Sequence, residues 1–142
     1  MKPSAVLQSC VIPYRPAFQG LEIALITSRN TGRWIVPKGT VEPNMTSGAS
    51  AAKEALEEAG LLGEIGKEPL GEYFYSKFAR VYQVEIFPFH VTRELDEWDE
   101  MDFRRRAWFS AGEAVAVITE MAVQAAIQQL AGTVPRPGAD PK

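Results

Sequence analysis

Three carboxylates, Glu54, Glu57 and Glu58, crowd into the short segment KEALEEAG. An α-helix turns about 100° per residue, which sets Glu57 about 60° to one side of Glu54 and Glu58 about 40° to the other. All three then share one face within a turn. Unpartnered like charges at that spacing repel. Hard divalent cations such as Mg2+ take carboxylate oxygens, so a bound ion would offset the repulsion. A cation held there could also do chemistry, neutralising anionic oxygens and lowering the pKa of bound water. The competing reading of these glutamates, taken alone, is a solvated helix face.

The helix that positions them has marked ends. Thr46 or Ser47 is the expected N-cap after Pro43-Asn44, and Gly60 the expected left-handed C-cap. Its packing face is expected on Ala49, Ala52, Leu56 and Ala59, opposite the acids. Such small residues let another layer approach the backbone closely.

The stretch from Gly39 to Leu61 resembles the Nudix (MutT-like) hydrolase signature. Gly39, Glu54, Glu57, Glu58, Gly60 and Leu61 stand at matching positions and the spacing is kept. Met45 stands where the signature has its first Glu, Lys53 where it has Arg, and Ala55 at an aliphatic position. Arg33-Trp34-Ile35-Val36-Pro37, Glu42-Pro43 and Arg104 to Phe109 are similar to the diphosphoinositol polyphosphate and diadenosine polyphosphate hydrolase branch.

The resemblance implies an α+β fold, an α/β/α sandwich with a mixed β-sheet between helices. It implies a metal-dependent pyrophosphohydrolase using Mg2+ or Mn2+, acting on a nucleoside diphosphate linked to another group, such as a dinucleoside polyphosphate. Glu57 and Glu58 would be metal ligands, Glu54 a further ligand or the general base, and the Gly39 carbonyl an added ligand. The alternatives are a diphosphoinositol polyphosphate phosphohydrolase and a noncatalytic nucleotide-binding module. Loss of the usual Glu and Arg at 45 and 53 implies a differently supported site, in which Lys53 still reaches Glu57 at i,i+4.

Other residues are substrate candidates. Arg33 and Lys38 flank the motif and could meet phosphates; turn or loop charges are the plain alternative. In Arg104-Arg105-Arg106, strand alternation sends Arg104 and Arg106 to one face and Arg105 to the other. Arg104 and Arg106 are candidates for a highly phosphorylated substrate, or they pair with the acidic loop Glu94–Asp102 just before them. One acid of that loop could add a ligand or base. Trp98 within it is a candidate ligand contact or lid. His90, the one histidine, is expected to pack on the sheet.

The chain has 142 residues, fitting one domain, expected over 1–131 with a disordered proline-containing tail at 132–142. Formal net charge of −3 gives no reason to expect a nucleic-acid partner. The one cysteine, Cys10, cannot form a disulfide within the chain, and a Cys/His zinc site is excluded. No signal peptide or membrane span is legible, so a cytoplasmic protein is expected, with a small-molecule phosphoanhydride as its partner. A homodimer is compatible with it.

Strands are expected over Ser4–Tyr14, Leu21–Thr27, Trp34–Val36 and Arg104–Phe109, with a hairpin of Gly71–Phe78 and Arg80–Thr92. Leu21–Thr27 is nearly all apolar, so burial on both faces is expected. Pro37-Lys38-Gly39 is read as a break and Gly63–Gly66 as an extended link. Pro88 predicts an edge or bulge. Helix is expected over about 112–131, interrupted near Ile118-Thr119.

Overall fold

The structure, a computed structural model, describes residues 4–134. Its elements are β1 (Val6–Ala17), β2 (Gly20–Thr27), β3 (Trp34–Ile35), β4 (Lys38–Thr40), α1 (Ser47–Ala59), β5 (Leu61–Ile65), β6 (Gly71–Lys77), β7 (Arg80–Glu94), β8 (Arg106–Ser110), α2 (Ala111–Val117) and α3 (Met121–Thr133). The strands form one 8-stranded sheet with the path β3-β2-β1-β7-β5. Strands β4, β6 and β8 add to β1, β7 and β2. Only β1 and β7 pair in parallel, so the sheet is mixed.

Helices cover both faces because the central strands are apolar on both. In β2, Leu21, Ile23 and Leu25 join α2 and α3 in one core, while Ala24 and Ile26 join α1 in the other. In β7, Val84 and Ile86 face the α2–α3 side and Phe87, Phe89 and Val91 the α1 side. Each fully buried Ile, Leu or Phe contributes about 1.5–3 kcal/mol of burial free energy. The result is the α/β/α sandwich of the α+β class.

Several local expectations change. Lys38–Thr40 is a strand, paired to Gln8, Ser9 and Cys10 of β1. Gly63 belongs to β5, which pairs with β7 through an irregularity at Leu62/Gly63. Pro88 lies in a central strand, not at an edge. It sits where the neighbour of β7 changes from β6, ending at Gly71↔Ile86, to β5, starting at Ile65↔Phe89. A residue without an N–H is tolerated at that junction, and its carbonyl is used by the Gly66 amide at 2.9 Å. Arg104 and Arg105 precede β8 instead of opening it.

The helical interruption near Ile118 separates α2 from α3, and α3 continues to Thr133, past the expected boundary at 131. Residues 135–142 of the expected tail lie outside the described residues.

Candidate metal and phosphate site

Helix α1 begins where expected. The Thr46 hydroxyl accepts from the Ala49 amide at 3.1 Å, and Gly60 ends the helix at φ 64°. Its buried stripe differs from the expected one. Ala51, Ala55 and Ala59 face the sheet with Ser50 and Glu58, whereas Ala49 and Leu56 are exposed. The helix carries two overlapping alanine stripes, and the sheet takes the one built on Ala51, Ala55 and Ala59. Glu58 therefore lies inside the packing stripe and is only 7% exposed.

Burial pushes the Glu58 carboxyl up to about 8, against the opposing influence of Arg104 and the Lys38 amide. Its Oε1 accepts from that amide at 3.1 Å, and Arg104 Nη2 lies 3.9 Å from Oε2. Glu54 is raised by partial burial and then by the charge of Glu57. A Cβ on Gly39 would collide with the Glu54 Oε2, so only glycine lets this carboxylate lie against β4. That contact explains the glycine at one end of the motif. Glu57 pairs with Lys53 at 2.6 Å.

The altered motif positions are accommodated through Lys53. Its ammonium also reaches Glu42 in the β4–α1 loop at 2.9 Å, and the two carboxylates raise its pKa. Lys53 thus has carboxylate partners although Met45 offers none.

Arg104 and Arg106 both reach groups on the α1 side, although only Arg106 lies in β8, and both guanidinium groups are engaged. Arg104 donates to Glu100 at 2.9 Å and to the Thr27 carbonyl at 3.1 Å. Arg106 donates to the Ala59 and Leu95 carbonyls at 2.7 and 3.0 Å. It supplies a cation at the C-terminus of α1, where the helix dipole favours one. Trp98 shares this role. Its indole N–H donates to the Glu58 carbonyl at 3.0 Å and its ring lies against Gly60 and under Arg106. The pairing of Arg104 with Glu100 and of Arg106 with Glu94 fits the acidic-loop alternative. His90 stacks on Tyr14, with centroids 5.3 Å apart.

Arg33 and Lys38 lie elsewhere, in a cavity of about 740 Å³ on the α3 side, with Tyr73, Tyr75 and Glu120. The two neighbours in β4 face opposite ways. Gly39 meets Glu54 on the α1 side, while the Lys38 ammonium meets the Tyr75 hydroxyl at 3.1 Å. The Tyr75 hydroxyl in turn donates to Gln8 Oε1 at 2.6 Å. Gln8 and Glu120 were not singled out by the sequence. Tyr75 lies in the first strand of the expected hairpin, where its alternation with Tyr73 gives the two one shared face.

Among the described residues, no three His, Cys, Asp or Glu side chains are gathered closely enough to hold an ion as they stand. The donor set still fits a hard divalent ion. It offers carboxylate oxygens one helical turn apart beside Gly39, and the burial that raises the Glu58 pKa is a penalty on its charge that a bound cation would offset.

An acidic helix packed by alanines on a mixed sheet, with helices behind, defines a class of α+β proteins. The NUDIX domain family matches residues 9–129, and the chain belongs to that family. It is 32% identical over 110 residues to Nudix hydrolase 21, chloroplastic, of Arabidopsis thaliana, covering 73% of this chain and 55% of that protein. It is 36% identical over 100 residues to diphosphoinositol polyphosphate phosphohydrolase 2 of Rattus norvegicus, covering 68% and 54%. The chain thus spans little more than half the length of these relatives. The crystal structure of the C. elegans Ap4A hydrolase superposes with a TM-score of 0.73 at 17% identity, covering 91% of this chain and 98% of that one. This likeness shows the fold. No helix among the described residues is long and apolar enough to cross a membrane.

Proposed function

We propose that the chain is a metal-dependent pyrophosphohydrolase cleaving a phosphoanhydride in a nucleoside diphosphate linked to another group. The observation that carries this reading is strand β4. Its Lys38 side chain faces the cavity and its Gly39 faces the acidic helix, so one short strand joins a substrate-sized pocket to the carboxylates. Mg2+ or Mn2+, when bound, supplies neutralisation of the phosphate oxygens and a lowered pKa for water. Glu57 and Glu58 hold the ion, with Glu54 as a further ligand or as the proton acceptor, and Gly39 beside them.

Lys38, next to Gly39 in β4, orients the phosphate chain, and Arg33, paired with Glu120, meets the non-reacting part of the substrate. Arg104 and Arg106 are assigned as supports of α1, because their guanidinium groups are spent on Glu100, Thr27, Ala59 and Leu95. The domain is taken as residues 1–131 extended to the end of α3. The buried, unpaired Cys10 suits a reducing, cytoplasmic setting.

The test is phosphate release from nucleotides, dinucleoside polyphosphates and diphosphoinositols, with Mg2+ or Mn2+. Glu57→Gln is expected to lower turnover by about a hundredfold or more, the scale for losing a preorganised electrostatic group. Equal rates in wild type and variant would sink the mechanism. Tight metal-free nucleotide binding with no phosphate released would favour a noncatalytic module. The relatives named as diphosphoinositol polyphosphate phosphohydrolases support a second reading, cleavage of that class of substrate.

A further inference from the structure

Glu120 sits just before α3, where a short polar side chain ordinarily caps the helix. Its backbone is extended, at φ −76° and ψ 117°, and its carboxylate makes no capping hydrogen bond. The carboxylate instead lines the cavity, accepting from Arg33 Nη2 at 3.3 Å and from the Thr119 hydroxyl at 3.2 Å. Arg33 Nη1 donates to Thr119 Oγ1 at 2.5 Å. The charged residues lining the cavity are Arg33, Lys38, Lys77 and this one acid. Arg33 is opposed by Glu120, and Lys38 is held on Tyr75 by both a hydrogen bond and its ring, 4.4 Å away.

A densely phosphorylated ligand would have to draw Arg33 away and would then face a bare carboxylate. Like charges brought together across an interface are unfavourable and are a common means of rejecting a wrong partner. A ligand whose non-reacting part is uncharged and carries O–H or N–H donors meets an acceptor at the same place. The tyrosine wall, with Tyr73 and Tyr75 centroids 6.2 Å apart, offers it apolar surface.

We propose that Glu120 is a specificity-determining residue, admitting an uncharged, donor-bearing group to this cavity and rejecting a densely phosphorylated one. The proposal rests on the reading that the cavity receives the non-reacting part of the phosphoanhydride. It chooses between the two substrate classes above.

The test is calorimetric titration of the metal-free chain with two probes, diadenosine tetraphosphate and inositol hexakisphosphate. Wild type, Glu120→Gln and Glu120→Lys are compared, with phosphate release measured in parallel in Mn2+. Wild type is expected to prefer the dinucleotide. Glu120→Gln should shift the preference toward the hexakisphosphate by about tenfold, and Glu120→Lys further, given the cost of like charges.

In Glu120→Lys, which has no acceptor, the two affinities should move in opposite directions, which general loosening of the fold would not produce. A preference unchanged in both variants, or a wild type that prefers the hexakisphosphate, would overturn the assignment. A shifted preference with no turnover of any substrate leaves the selectivity standing and removes the hydrolase reading. Turnover with an unmoved preference does the reverse.

Discussion

The two faces of the sheet are built differently. On the α1 face, the glutamates, their glycine neighbour and both helix caps come from one contiguous segment, Gly39 to Leu61. On the α3 face, the cavity draws on the β2–β3 turn, β4, β6 and the start of α3. The first face is tightly packed, with Ala51, Ala55 and Ala59 fully buried. The second is an open cavity edged by exposed side chains, Phe74 and Met121 among them. The contrast suggests that the chemistry rests on short-range spacing and the selectivity on long-range assembly. Substitutions of buried groups on the α1 face should therefore cost turnover and stability together, whereas those on the α3 face should change substrate preference and leave the fold intact.

The largest break in this comparison should come from Arg104→Met. The side chain is only 9% exposed and lies between Glu58 and Glu100. Removing one partner of a buried charge group costs about 3–5 kcal/mol. Urea denaturation should show that loss most fully above pH 8, where Glu58 is ionised, and a smaller one at neutral pH and below, where Glu58 holds its proton. An undiminished midpoint would show that Arg104 is not a support of α1.

Gly39→Ala should be next. The new methyl would displace the Glu54 carboxylate, and overpacking of this kind costs about 1–3 kcal/mol. Turnover should fall much more than stability, with KM little changed. A fully active Gly39→Ala variant would separate Glu54 from the reaction.

The Glu58 carboxyl gives a pH test on the metal-free protein. Its folded pKa, about 8, lies above the ordinary value of 4.5, so the folded state holds the extra proton in between. Stability from this group is therefore fully present below pH 4.5 and is lost as pH rises towards 8. Melting temperature in EDTA should fall across that window, and Glu58→Gln should flatten the profile. A slope unchanged in the Gln variant would assign the effect to another group.

On the other face, Tyr75→Phe removes the hydroxyl between Lys38 and Gln8. A loss of about 1 kcal/mol in substrate binding is expected, seen as a rise in KM at constant kcat. The smallest effect on stability should be that of Lys53→Met. Its ion pairs are partly exposed, and such pairs contribute about 0–1 kcal/mol. A melting temperature that dropped by many degrees would show that the loop and helix depend on Lys53 far more than its exposure indicates.

The sequence was most legible where geometry is local. The Thr46 and Gly60 caps, the shared face of the three glutamates and the doubly buried β2 follow from residue type and the periods of helix and strand. The buried stripe of α1 did not follow, because Ala49, Ala51, Ala52, Ala55 and Ala59 describe more than one weak stripe. Leu56 pointed to the wrong one. Pro88 was legible as an interruption, but its place in a central strand depended on β6 and β5 sharing one side of β7. The basic triplet was legible as charge, yet the partners that use it are set by β8 running beneath the end of α1.

By itself, the sequence determined the chemistry-bearing segment: the order of acids and glycines, the caps and the two-sided apolar strands all act over a few residues. The tertiary structure alone decided which carboxylate is buried. It also decided that Arg106 and Trp98 finish α1, that Lys53 draws on Glu42, and that Glu120 faces Arg33 across a cavity. Those outcomes depend on segments far apart in the chain being brought to hydrogen-bond distance. Only the packing of the whole sheet between its helices sets that distance.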